Sequence, residues 1–305
     1  MIESCHEILA PGGSPEHIIN SINEGAHSIY AGPRFMSGRS SYTEMGFDNI
    51  KTARQLTRDA GVKLYIAMNR SIPIGEEERW KKFIEQIVLC EPDALIIGSF
   101  CVYDMVREMG IKIPLHASTF MGIYNPAGAQ MVKSMGFTRL ILNTSLNLNE
   151  IRYITESVPE LEYEIIAYGG ICRNDNHRCN LPHGLRRIGN RRETGQEESA
   201  EKDRFLDSKE STYCQLRLKV TDKSGNEVKS GRLMCNPIID LSPNLLPFMR
   251  AGVTSFKIAG RERDAGFAAR AVKSLKTGIK TALGYADSPL EHYAYLDNIP
   301  YASSL

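Results

Sequence analysis

Cys172, Cys179, Cys214 and Cys235 follow one another with six, 34 and 20 residues between successive members. Four thiolates gathered outside a regular scaffold can hold zinc or an iron–sulfur cluster. Zinc in such a set is colourless and closed to redox chemistry. An iron–sulfur cluster brings electron transfer and visible absorption. The other three cysteines, Cys5, Cys90 and Cys101, read as small buried hydrophobes.

A second group of chemistry-bearing side chains lies inside or just past short apolar runs. His116, Ser118 and Thr119 close one such run, Asn143 another, and Asn69 with Arg70 a third. Arg34, Arg39 and Arg261 follow two more. An imidazole in this setting shuttles a proton near neutral pH. The planar arginine fork suits a carboxylate pair or a phosphate. Lys257 sits within an apolar run, and an inward lysine requires a carboxylate partner; Asp240 is the candidate. The sequence contains no G-x-S-x-G and no H-E-x-x-H, so an activated peptidase nucleophile or a zinc-protease helix lacks its motif.

The elements that must position these groups repeat one pattern, a helix ending near glycine and then an apolar strand. The strand cores are Glu7–Ala10, Ser28–Ala31, Lys63–Ala67, Ala94–Ile97, Pro114–Ala117, Arg139–Leu142, Tyr163–Ala167 and Ser255–Ala259. Helical patterns cover Pro15–Glu24, Asp48–Ala60, Glu76–Cys90, Val102–Met109, Ala127–Met135, Asn149–Ser157 and Arg263–Leu283. Ser14 before Pro15 is an N-cap signal, and Gly25 a stop. Short apolar strands alternating with helices in this number predict an α/β fold, a (β/α)8 barrel. An open dinucleotide-binding sheet lacks its glycine fingerprint after the first strand.

The rhythm breaks once, over residues 169–250, which hold all four cysteines of the set. The expected organisation is seven barrel units in 1–168, a cluster-binding insertion in 169–250, the last strand and helix in 251–285, and a tail in 286–305. Arg186 to Glu210 is dense in both signs of charge and reads as an exposed loop. Cys214–Val220 and Glu227–Met234, joined by the turn Asp222–Asn226, read as a hairpin. Active groups of a parallel barrel gather at the C-terminal ends of its strands, so the insertion should emerge on the catalytic face.

The formal net charge is +1 and charged residues make up 24% of the chain, which excludes bulk electrostatic attraction to nucleic acid or membrane but leaves local basic patches open. No apolar run reaches the ~18 residues of a membrane helix. The acidic start Met1–Glu7 has no basic n-region, and the cysteine usage suits a reducing cytoplasm.

Several stretches resemble the collagenase-like peptidase family U32. Glu7-Ile8-Leu9-Ala10-Pro11-Gly12-Gly13, Glu24 to Gly32, His116-Ala117-Ser118-Thr119, Gly169-Gly170-Ile171-Cys172 through Arg178-Cys179, and Ala251 to Arg261 follow its motifs in order. Three positions depart from them: Phe120 stands for a glutamine, Tyr168 for a histidine and Ala259 for a glutamate. The resemblance implies a 4Fe–4S cluster on Cys172, Cys179, Cys214 and Cys235, with zinc as the second reading. It implies oxygen-independent hydroxylation rather than proteolysis, with prephenate as a hydroxyl donor. The cysteine layout is most similar to the family's ubiquinone-pathway subunits, which implies a small aromatic or prenylated acceptor and a related partner subunit in a heterodimer. RNA-base hydroxylation, proteolysis and a non-catalytic cluster-bearing role are the alternatives. His116, Lys257 and Asp240 are the expected catalytic residues. Arg34, Arg39, Asn69, Arg70, Ser118, Thr119, Asn143 and Arg261 are the expected substrate contacts.

Overall fold

The computed structural model describes residues 6–33, 36–38, 45–72, 74–171, 218–231, 238–261, 263–285 and 297. Its elements run β1 (Glu7–Pro11), α1 (Pro15–Glu24), β2 (Ser28–Ala31), α2 (Phe47–Asp59), β3 (Lys63–Met68), α3 (Glu77–Val88), β4 (Ala94–Ile97), α4 (Phe100–Glu108), β5 (Leu115–Ala117), α5 (Pro126–Ser134), β6 (Arg139–Ile141), α6 (Leu148–Ser157) and β7 (Glu162–Gly170). They continue with β8 (Leu218–Thr221), β9 (Glu227–Gly231), β10 (Ile238–Asp240), α7 (Leu245–Arg250), β11 (Ser255–Ala259) and α8 (Ala265–Gly284).

Strands β1 to β7 and β11 pair side by side in parallel, β6 with β7, β7 with β11, and β11 with β1, so the sheet closes on itself. This is the expected (β/α)8 barrel. Closure follows from side chains that alternate across each strand. Ile8, Ala10, Ile29, Leu64, Ile66, Leu95, Ile97, Leu140, Ile165 and Phe256 point outward into the layer under the helices. Leu9, Tyr30, Tyr65, Ala67, Ala94, Ile96 and Ile141 form a separate cluster inside the barrel.

Local signals set the helix starts. Ser14, Ser99, Asn125, Asn147 and Asp264 each accept a backbone N–H in the first turn, and Asn147 with Glu150 completes a capping box. These side chains satisfy donors that the helix leaves orphaned. Gly25 ends α1 at φ 98°, a left-handed position that costs glycine nothing.

Residues 238–250, which the sequence pattern places in the insertion, rejoin the barrel. Strand β10 pairs antiparallel with the end of β7, and α7 buries Leu245, Leu246 and Phe248. Its six residues are too few for an apolar period to stand out. The hairpin β8–β9 forms around Asp222, whose carboxylate accepts from the backbone of Ser224 and Asn226 at 2.9 Å each. The charge-dense stretch lies outside the described residues, as does Cys5. Cys90 is buried as expected, whereas Cys101 is exposed, one position into α4 on the face turned from the barrel.

Strand β7 is irregular near its C-terminal end, where it carries a bulge: Lys257 pairs with Ile166, but the next residue, Ile258, pairs with Tyr168. The extra residue, Ala167, flips the phase, so Tyr168 turns outward and packs edge-on against Phe267 of α8 at 5.6 Å. Gly169 then passes so close to β11, at φ 107°, that a Cβ would lie 1.9 Å from the Ala259 carbonyl oxygen. Gly169→Ala is expected to cost at least about 2 kcal/mol, read as a lower urea midpoint at unchanged slope. A variant as stable as the parent would mean that β7 does not follow this path.

Candidate active site inside the barrel

Many parallel barrels fill their interior with branched apolar layers; this one carries charge. Glu7, Arg139, Glu162 and Ser255 are the first residues of β1, β6, β7 and β11, so together they form the floor at the N-terminal end. The Arg139 guanidinium donates to Glu162 through Nε (2.9 Å) and Nη2 (2.7 Å), and its Nη1 reaches Glu7 and Glu164 (3.2 Å). Ser255 Oγ lies 2.9 Å from Glu7, and the Tyr65 hydroxyl donates to the same carboxylate at 2.5 Å.

The network climbs toward the mouth. Glu164, fully buried, accepts from Lys257 Nζ at 3.0 Å. That ammonium sits 4.4 Å from the centre of the Tyr30 ring, which also carries the Arg261 guanidinium at 5.5 Å. Attraction to an aromatic face offsets part of the cost of desolvating a cation. Arg261 reaches its place because the residue after β2 is Gly32, where a Cβ would fall on its guanidinium; it donates to Ser37 Oγ at 2.5 Å.

Burial alone would raise the Glu7 carboxyl, but Arg139, Tyr65 and Ser255 outweigh it and hold it below the ordinary carboxylate range. Burial lowers Lys257, and Glu164 only partly restores it. His116, midway along β5 and 4% exposed, stacks edge-on against Tyr65 at 4.8 Å. Burial, then the charges of Arg139, Lys257 and Lys63, push it well below its ordinary value of 6.5. The imidazole is therefore neutral, and its buried Nδ1 has no hydrogen-bond partner among the described residues. A neutral imidazole is the form that can accept a proton, while the burial that keeps it neutral also weakens it as a base.

His116, Lys257 and Arg261 thus share one interior. Asp240 does not join them. It pairs with Tyr168 on the outward side of the bulge and accepts from the Ser242 backbone (2.9 Å) and hydroxyl (2.6 Å), so the partner of Lys257 is Glu164. The polar residues of the mouth are tied into its loops. Asn69 accepts from Gly38 N at 2.8 Å, Asn143 bonds Tyr124 and Ser145 at 3.0 Å, and Ser118 caps the turn through Phe120 N at 3.3 Å. Thr119 is buried beside Ser118, and Arg70 is half-buried. Arg34, Arg39 and the four cysteines lie outside the described residues. Among the described residues no group of three or more histidines, cysteines or carboxylates could hold a metal ion, and no helix is long and apolar enough to cross a membrane.

Sequence reasoning missed Glu7, Arg139 and Glu164. The available signal was phase: Glu162, Glu164 and Lys257 stand at alternate positions in otherwise apolar strands, where inward residues must fall.

The family model for peptidase family U32 matches residues 13–299. The tRNA hydroxylation protein P of Haemophilus influenzae is 31% identical over 57% of this chain and 38% of its own. The 23S rRNA 5-hydroxycytidine C2501 synthase of Escherichia coli is 28% identical over 88% of this chain and 38% of its own. A Porphyromonas gingivalis collagenase is 24% identical over 90% of this chain and 65% of its own. The chain therefore spans between 38% and 65% of the length of these relatives. Thiamine phosphate pyrophosphorylase from Pyrococcus furiosus superposes with TM-score 0.51 at 13% identity over 93% of this chain and all of its own. A U32 peptidase structure superposes with TM-score 0.50 at 10% identity over 84% and 93%. At such identities the superpositions establish the barrel alone.

The network makes two outcomes measurable. Arg139→Met strands two buried carboxylates and is expected to cost about 3–5 kcal/mol in urea unfolding. Adding Glu7→Gln should restore part of it, and a loss under about 1 kcal/mol would mean that the cluster is hydrated. His116 is neutral when folded but protonates near pH 6.5 when unfolded. Its contribution is present above that pH and declines below it, by up to about 1.4 kcal/mol per pH unit. His116→Gln should flatten the acid side of the stability profile, and an unchanged slope would contradict a buried neutral ring.

Proposed function

Because the chain belongs to peptidase family U32, we propose that it is the barrel of an iron–sulfur-dependent, oxygen-independent hydroxylase whose acceptor is an RNA base. The observation that carries this reading is that relatives named for tRNA and rRNA hydroxylation align over up to nine-tenths of the chain. Their names favour RNA over a small aromatic acceptor. They offer no support for a ubiquinone-type substrate or a heterodimeric partner. A peptidase reading would have to use Ser14 and His17, 3.2 Å apart, but that hydroxyl caps α1 and the other ring nitrogen is held by the Arg263 carbonyl, so the pair serves the helix start.

Cys172, Cys179, Cys214 and Cys235 would hold the cluster, and their thiol-only donor set suits iron–sulfur ligation. Backbone pairing around them supports the assignment. Gly170 pairs with Ile238, and Leu218 with Gly231. Cys172 follows Gly170 by two positions and Cys235 precedes Ile238 by three; Cys214 precedes Leu218 by four and Cys235 follows Gly231 by four. Arms this short, at most about 3.6 Å per residue, tether three of the thiols to paired strands. When bound, the cluster supplies electron exchange, which no side chain here offers.

Converting a ring C–H into C–OH removes two electrons from the acceptor, so a hydroxyl donor must be reduced by the same two. A donor of the prephenate type, with two carboxylates, suits the cations Lys257 and Arg261, which both lie over the Tyr30 ring. His116 accepts the proton that leaves the ring carbon, and Glu164 holds Lys257 in place.

The test is a cell deleted for this chain, its RNA digested to nucleosides and weighed. One nucleoside should lose the mass of an oxygen atom and regain it on complementation. His116→Ala should fail to complement while the anaerobically purified protein stays brown. Replacing the four cysteines with serine should abolish both colour and product. An unchanged nucleoside profile in the deletion would sink the RNA assignment, and a colourless wild-type protein the cluster.

A further inference from the structure

The inner network leaves one charged feature unused. Helix α8 carries Arg270, Lys273, Lys276 and Lys280 and no acidic side chain, in a chain of formal net charge +1. The remainder of the protein is therefore net negative, and the basic charge of this face is a local excess. All four side chains are exposed on one side of the helix, along about 15 Å of its axis. Lys276 lies over the C-terminal glycine of α1, where a cation meets the negative end of that helix.

Beside this face runs a groove of about 590 Å³, lined by Arg270 and Lys273, the hydroxyls of Ser242, Ser274, Thr277 and Thr281, and Tyr168. Asp264 is 4.0 Å from Arg270, both largely exposed, a pairing that holds the guanidinium only weakly. Asp240 is committed to Ser242. Tyr168 is in the groove because the bulge in β7 turned it out of the barrel, and it stands at the C-terminal end of that strand, nearest the mouth. A cationic track beside an aromatic plate is the combination that holds single-stranded nucleic acid without reading its sequence.

We propose that the groove between α8 and the turn from β10 to α7 is a docking track for a single-stranded RNA segment. Arg270 and Lys273 would hold its phosphates and Tyr168 would stack one base as the strand approaches the barrel mouth. This rests on the assignment of RNA as the acceptor, and goes beyond it by naming where the acceptor's backbone lies.

Anaerobically purified full chain is titrated with an unmodified tRNA transcript by filter binding at several salt concentrations. Arg270→Glu with Lys273→Glu should weaken binding at least ten-fold and flatten the dependence of log affinity on log salt by about 1.4, the value for two single-strand phosphate contacts. Tyr168→Ala should weaken it roughly five-fold without changing that slope. A matched reversal on the far side of the barrel, Lys82→Glu with Arg107→Glu, should leave both unchanged. Melting temperatures establish that each variant is folded. Wild-type affinity in the α8 variant, or equal harm from the matched pair, overturns the groove and leaves the RNA reading standing. A change in sedimentation without a change in RNA affinity overturns it in favour of a contact between copies. A wild-type protein that binds no RNA at all overturns both.

Discussion

One guanidinium organises this barrel. Arg139 meets carboxylates from β1 and β7 at the end where every barrel strand begins, and Glu164 passes the charge on to Lys257 of β11. A buried ion is tolerable only when its partners are supplied in full. The pairing of β1, β6, β7 and β11 is therefore bound to one register, since a slip of one residue would turn every inward charge out into the apolar layer. The apolar residues make the barrel stable; the charges make its phase unique.

That constraint also creates chemistry. Burial, helped by the cations that neutralise Glu7 and Glu164, keeps the His116 ring neutral. The ion network at the N-terminal floor thus reaches the imidazole directly, since His116 pairs with Arg139 across β5 and β6 and its ring meets Tyr65, which bonds Glu7. Gly32 shows how narrowly the upper end is drawn, since the guanidinium of Arg261 takes the space that any side chain there would fill.

The bulge at Ala167 divides the work of β7 between two surfaces. Below it, Glu164 points inward to the ion network. Above it, Tyr168 and its antiparallel neighbour Asp240 point outward to α8 and its groove. The strand that feeds the cysteine-bearing stretch thus also feeds an outer surface, and a single inserted residue separates them. The departure from the family pattern at Tyr168 sits at this boundary.

Much was legible in the residue order. Alternating apolar strands and capped helices follow from interactions between near neighbours along the chain, and they predict a parallel barrel before any coordinates are seen. The family motifs and the spacing of the four cysteines are likewise properties of the string. Helix α7 escaped because its six residues offer no period. Lys257 was recognisable as a lysine in need of a carboxylate, but Asp240, adjacent to the cysteines, was the wrong choice of partner. The true partner lies 93 positions away, and Ser255 meets Glu7 across 248. Pairings at that range depend on which strands closure makes adjacent and on the bulge that resets the phase of one of them. Local periodicity can place a charge on the inward face but carries no record of which charges meet, so the pairings of the ionic interior and the outward turn of Tyr168 were decided by the tertiary structure.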